Sequence, residues 1–167
     1  MAGTLLMRRA ALVAVVALAS CARAPAPPEP SVFRDRTAPI WSNATFDTAD
    51  LAGTWKQVGG FGADCVPGSL TFSPGAVKGQ LCLDGAEREF AGTYAVTGPA
   101  RLQPAGAAEP WWILWIDYDR RSMAIGTPSG NFGFVLDRTG GIPPDRLKAA
   151  REIFDWNSYD LARFRSW

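Results

Sequence analysis

In Asp50-Leu51-Ala52-Gly53-Thr54-Trp55-Lys56-Gln57-Val58 a glycine stands two residues before a tryptophan and opens a period-2 run. This reads as a strand that starts at a tight spot and buries a large indole. Alternation from Trp55 places Gln57, Gly59 and Phe61 on the same, inward face. Many plain core strands carry a Gly-x-Trp triplet, so its meaning depends on what surrounds it.

Downstream, short apolar runs recur at intervals of roughly ten residues between Gly, Pro and Asp, the pattern of an antiparallel barrel or sandwich. The runs are Gly53 to Phe61, Ser69 to Ser73, Lys78 to Leu83, Arg88 to Tyr94, Arg101 to Gln103, Trp111 to Asp117, Ser122 to Thr127 and Phe132 to Arg138. Asp84-Gly85, Thr97-Gly98-Pro99 and Pro128-Ser129-Gly130 supply turn chemistry between them. Closing such strands into a barrel removes every exposed edge, and an open sandwich is the alternative. Trp111-Trp112-Ile113-Leu114-Trp115-Ile116 is apolar in both parities, so its outer side needs a cover and its inward parity stays open. The cover is a helix opening at Pro143-Pro144-Asp145, with Leu147, Ala150, Ile153 and Phe154 on one face. Tyr159 to Phe164 reads as a short ninth strand beside the first. The expected fold class is therefore all-β: an eight-stranded antiparallel up-and-down barrel with one C-terminal α-helix outside.

The 167 residues carry a net charge of +1, which gives no electrostatic basis for nucleic-acid binding. Histidine is absent, which removes the commonest metal ligand, the usual proton shuttle and any Ser/His or Cys/His nucleophile. An enzyme is disfavoured, and neither a cofactor nor a metal is expected. The carboxylates Asp117 and Asp119, beside Arg120 and Arg121, read as a solvated turn with ion pairs rather than an acid/base dyad.

At the N-terminus, Arg8 and Arg9 precede an apolar run, and Leu18-Ala19-Ser20-Cys21 closes it. These are the parts of a secretory signal, too short to span a bilayer as a mature helix. The closing tetrapeptide resembles the lipobox of bacterial lipoproteins. That resemblance implies a signal peptide over residues 1–20, a lipid on Cys21, and a Pro-rich tether over 21–36 ahead of a barrel domain over 37–167. An ordinary signal with an incidental cysteine is the alternative. With Ala22 rather than Asp at the next position, the resemblance also implies the outer membrane, on the periplasmic side. Asn43-Ala44-Thr45 matches a glycosylation triplet, which in this setting is chance. Cys65 and Cys82 then remain in an oxidising compartment and read as a disulfide, with a redox pair or two buried thiols as rival readings.

The order of parts resembles the lipocalin family, more narrowly the bacterial outer-membrane lipocalins. Leu51-Ala52-Gly53-Thr54-Trp55 looks like its first motif. Ile116-Asp117-Tyr118-Asp119 with Ala124-Ile125-Gly126-Thr127-Pro128 looks like its turn between the sixth and seventh strands, and Phe134-Val135-Leu136-Asp137-Arg138-Thr139 like its last strand. The resemblance implies a barrel floor of Gly53, Trp55 and Arg138. A guanidinium over a buried indole is worth about 1 to 2 kcal/mol when desolvated. It also implies a small hydrophobic ligand, of the fatty acid or lysophospholipid class, bound inside a cup held at the membrane. Candidate ligand contacts are Gln57, Phe61, Phe72, Phe132 and Phe134, and for each aromatic the alternative is core filler in a barrel without a cavity. The interval from Gly53 to Arg138 is short for the family, which limits the depth of any cup. The second functional reading is a tethered protein-binding lipoprotein, like the barrel-shaped lysozyme inhibitors that act through a surface loop. A role in envelope assembly is a third.

Overall fold

The computed structural model describes residues 31–62 and 64–167. The signal peptide, Cys21 and most of the tether therefore lie outside the described residues. Among the described residues nine strands form one sheet: β1 (Gly53–Phe61), β2 (Ser69–Ser73), β3 (Ala76–Leu83), β4 (Ala86–Gly98), β5 (Arg101–Pro104), β6 (Trp111–Ile116), β7 (Ser122–Gly126), β8 (Gly133–Asp137) and β9 (Phe164–Ser166). Each of β1 to β8 pairs antiparallel with its neighbour in sequence, and β1 pairs with both β8 and β2, so the eight close into a barrel. α1 (Pro144–Trp156) packs outside β6 and β7. Proline at its first position, where the N–H would lack a partner in any case, and Asp145 in its first turn start it as the sequence suggests.

Because connections alternate between the two ends, segments 62–68, 84–85, 105–110 and 127–132 share one end, the mouth. The floor holds the start of β1, the β6–β7 turn and the end of β8. Two apolar layers result. One fills the barrel, with Trp55, Leu70, Leu81, Leu102, Trp111, Ile113, Met123, Ile125, Phe134 and Leu136 almost wholly buried. The other lies between barrel and helix, with Val58, Leu114, Ala124 and Val135 facing Ala150 and Phe154.

Two bulges decide which side chains join which layer. In β1 the register against β8 slips between Gln57 and Gly59, so Val58 and Gly59 both oppose the outer side and the alternation inverts. Phe61 therefore points outward, into an aromatic cluster with Phe33, Phe154, Tyr159 and Phe164 at ring centroid distances of 4.9 to 5.8 Å. Its expected place inside the barrel is corrected accordingly. In β6 a second slip falls between Ile113 and Trp115. Trp111, Ile113 and Ile116 belong to the inner layer, whereas Trp112, Leu114 and Trp115 belong to the layer under the helix.

Two boundaries also differ from expectation. Phe33 and Arg34, assigned above to the tether, are buried against the body, and Arg34 forms a bridge with Tyr159. The closing strand starts at Phe164 rather than Tyr159, since Leu161–Arg163 forms a 310 turn first. Its partner is β1, as expected, through Gly59, Gly60 and Phe61.

Candidate functional site

The floor is built from the opening stretch. A 310 turn at Thr48–Leu51 leads the chain across the barrel end, and Trp55 Nε1 donates to Leu51 O at 2.7 Å. Arg138 lies over that indole, its guanidinium carbon 4.0 Å from the ring centroid. Its nitrogens donate to the carbonyls of Ala52, Asp50 and Arg120 at 2.7, 2.7 and 3.1 Å. Gly53 adopts φ +105°, and a Cβ there would stand 2.8 Å from Arg138 Nη1, which is why glycine precedes the tryptophan.

Beside the floor, Asp137 accepts from Thr139 N at 2.7 Å, Thr139 Oγ1 at 2.6 Å, Gly140 N at 3.1 Å and Ser122 Oγ at 2.7 Å. Burial pushes its carboxyl up, but these donors outweigh it and hold the group below the usual carboxylate range. Asp117 and Asp119 both meet Arg146 of α1, at 3.3 and 3.0 Å, so this pair fastens helix to turn.

Above Trp55 the barrel is filled. The open space lies higher, in a cavity of about 660 Å³ lined by Leu83, Arg88, Phe90, Ala107, Trp111 and Phe132 among others. That volume is in the range of small-molecule sites, roughly 300 to 1,000 Å³. Phe90 and Phe134 meet Trp111 edge-to-face at 4.9 and 5.4 Å, which fixes the indole that walls the cavity. Trp111 Nε1 has no hydrogen-bond partner among the described residues. A larger hollow of about 890 Å³ is an open groove along the outer wall, where Lys56, Thr71, Lys78 and Gln80 face solvent.

The mouth loops are held from several sides. Cys65 and Cys82 form a disulfide that ties segment 62–68 to the end of β3. Glu109 accepts from Ser129 N at 3.1 Å and from Ser129 Oγ, joining segment 105–110 to 127–132. Tyr159 Oη accepts from Thr127 N at 2.9 Å and lies 3.1 Å from Phe132 O, to which it donates. Burial pushes this phenol up to about 12, against the hydrogen bonds with Thr127. Arg34 Nη1 donates to Pro128 O at 2.9 Å, and Phe33 N to Gly130 O at 2.8 Å. Gly130 sits at φ +70° with Arg34 Cγ where a Cβ would go, so only glycine lets the arginine pass.

Of the five candidate contacts, only Phe132 lines the cavity. Phe134 lies beneath it, stacked at 6.2 Å. Phe72 pairs with Gly53 at the floor end, and Phe61 is outside. Gln57 spends its amide on structure: Nε2 donates to Cys82 O at 2.8 Å, and Oε1 accepts from Cys82 N at 2.8 Å and Gly68 N at 3.3 Å. The residues that reasoning from sequence missed are Leu83 and Phe90, while Trp111 comes from the Trp111 to Ile116 run, one parity of which was a candidate with its inward side left open. Phe90 is the one large apolar residue on the inward parity at the start of β4, which was the available signal.

No family model and no curated protein sequence matches the chain. Among solved structures it is similar to lobster apocrustacyanin A1, with TM-score 0.57 and 17% identity over 83% of this chain and 91% of that one. Apocrustacyanin C2 gives TM-score 0.55 at 20% identity, covering 82% and 88%. Apocrustacyanin C1 gives 0.56 at 17%, covering 84% and 91%. At this identity the likeness establishes the fold alone, a closed eight-stranded antiparallel barrel of lipocalin-like form with one extra strand and a C-terminal helix outside.

Proposed function

We propose that this chain is a binding protein for a small hydrophobic ligand of the fatty acid or lysophospholipid class, tethered to the outer membrane through Cys21. The observation that carries the reading is the cavity of about 660 Å³ at the mouth, walled by Phe90, Trp111 and Phe132 above a sealed floor. Leu83, Phe90, Trp111 and Phe132 form the apolar side of a mixed wall that Asp84, Arg88, Glu89, Glu109 and Asn131 complete, which suits an amphipathic ligand whose chain is held by burial, at about 25 cal/mol per Å² of apolar surface removed from water. The tether rests on Leu18-Ala19-Ser20-Cys21 and on the Ala- and Pro-rich residues that follow. Binding rather than catalysis is the reading, since the carboxylates near the floor are committed to Arg146, Thr139 and Ser122.

The test uses purified, delipidated protein. Saturable binding of a fluorescent fatty acid, weakened several-fold by Phe132→Ala, supports the reading, and so does copurifying lipid seen by mass spectrometry. With neither, the cavity reading fails. A second reading, a protein-binding lipoprotein of the lysozyme-inhibitor kind, draws on the disulfide-held segment 62–68, where Val66 is 67% exposed. Inhibition of lysozyme that is lost on Val66→Asp, with no ligand binding, would select it.

A further inference from the structure

We propose that the barrel mouth is a docking face for a zwitterionic lipid surface, so that the cavity opens toward the bilayer rather than away from it. This rests on the tether reading above and adds an orientation to it.

The first observation is where the described chain starts. Ser31 lines the mouth cavity itself. From there the next residues are fastened to the mouth loop 127–132, through Phe33 N to Gly130 O at 2.8 Å and Arg34 Nη1 to Pro128 O at 2.9 Å. The point at which the tether pulls on the domain is therefore on the rim.

Length decides between the two orientations. From Cys21 to Ser31 the Pro-rich chain reaches about 30 Å at roughly 3.1 Å per residue. β1 has nine residues, so a strand of the wall is also about 30 Å long at roughly 3.3 Å per residue, and tilt brings its height to somewhat over 20 Å. To set the floor on the membrane, the tether would have to run down the whole wall and use most of its reach. With the mouth on the membrane, nearly all of it is slack.

The second observation is chemical and independent of the tether. The described rim loops themselves contain no lysine or arginine and are rich in small and apolar residues, Val66, Pro67, Ala107, Ala108 and Pro110, while Arg88 at the cavity and Arg163 and Arg165 beside Asp64 and Asp84 bring cations to the mouth from neighbouring segments. The floor carries Asp117, Asp119, Arg120, Arg121 and Arg138. Apolar and small side chains enter a headgroup layer at little desolvation cost, whereas a cluster of charged ones does not. With Asp64, Asp84, Glu89 and Glu109 set against Arg88, Arg163 and Arg165, the face carries no positive excess to draw anionic lipid, so it suits a zwitterionic surface brought close by the anchor.

The experiment uses the full lipidated chain in phosphatidylethanolamine and phosphatidylcholine vesicles containing a headgroup-attached quencher. A fluorophore is placed at Ala108→Cys in the rim or at Tyr118→Cys in the floor turn. Quenching several-fold stronger at 108 than at 118 is expected, and a flexible insert of some twenty residues between Pro28 and Glu29 should reduce the difference. Addition of anionic lipid should weaken the quenching at 108. Equal quenching, or stronger quenching at 118, overturns the docking face while leaving the tether intact. Mass spectrometry of the N-terminal peptide separates the two ideas: Cys21 without acyl chains overturns the tether and the docking face together.

Discussion

The Arg138 guanidinium stacks 4.0 Å over the Trp55 ring while also serving the carbonyls of Asp50 and Ala52, so one side chain joins the last barrel strand to the first and to the turn beneath it. Removing it leaves the indole face bare and strips those carbonyls of their donors. Arg138→Ala should cost about 2 to 4 kcal/mol, from a cation–π contact and several hydrogen bonds to a charged donor. The check is a paired measurement, in which the melting temperature falls and ligand affinity stays within twofold. Unchanged stability would show that the contact is incidental.

Gly53 and Arg138 are coupled in a second way, because the space a Cβ would need at 53 is occupied by Arg138 Nη1 at 2.8 Å. Gly53→Ala should destabilise the barrel by about 1 to 3 kcal/mol through backbone strain at positive φ and displacement of the guanidinium. In an Arg138→Ala background only the strain remains. The double mutant should therefore lose less than the sum of the two single losses, and strict additivity would contradict the clash.

The floor was legible in the sequence because each of its residues is there for a property of its type: no Cβ at Gly53, a large indole at Trp55, a planar cation at Arg138. The number of barrel strands and the helix were legible for a related reason, since periodicity and turn residues mark them directly. What failed was parity. A bulge adds one residue without changing composition, so counting by twos from Trp55 gives the wrong face from Gly59 onward and misplaces Phe61. In β6 the same device acts on a strand whose two sides are both apolar, one facing the barrel interior and one facing α1, so alternation carried no information there. The cavity suffered most from this, since Trp111 and Phe90 belong to it through register and Phe72 misses it through its level along the barrel.

Gln57 lies before the bulge and keeps the expected parity, but its amide is committed to the backbone of Cys82, which yields a prediction of its own. β1 leaves β2 after Lys56 and takes β9 as its partner from Gly59 on. Over that gap the Gln57 amide stands in for a missing strand, satisfying both the N–H and the C=O of Cys82. Gln57→Leu should cost about 2 to 4 kcal/mol, because two buried backbone groups lose their partners. Ligand affinity measured at saturating stability, well below the melting temperature, should not change. A loss of affinity without loss of stability would instead make Gln57 a ligand contact.

Tyr159 gives the mouth a sensitivity to alkali. Its phenol is buried, hydrogen-bonded to Thr127 and Phe132 O, and pushed up to about 12 from an ordinary value of 10.0. The folded state thus holds the proton more tightly than the unfolded state does. Its contribution is fully present below pH 10 and is lost as pH rises through about 12, a total of roughly 2 to 3 kcal/mol at about 1.36 kcal/mol per pH unit. Tyr159→Phe removes the titrating group along with its hydrogen bonds, so the variant should be less stable than the parent at pH 8, by about 1 to 3 kcal/mol. Between pH 10 and 12 its stability should decline less steeply, and the two curves should converge. Denaturant unfolding at pH 8, 10 and 11.5 reads this directly. Parallel curves across that window would mean that the phenol does not govern how loop 127–132 is held.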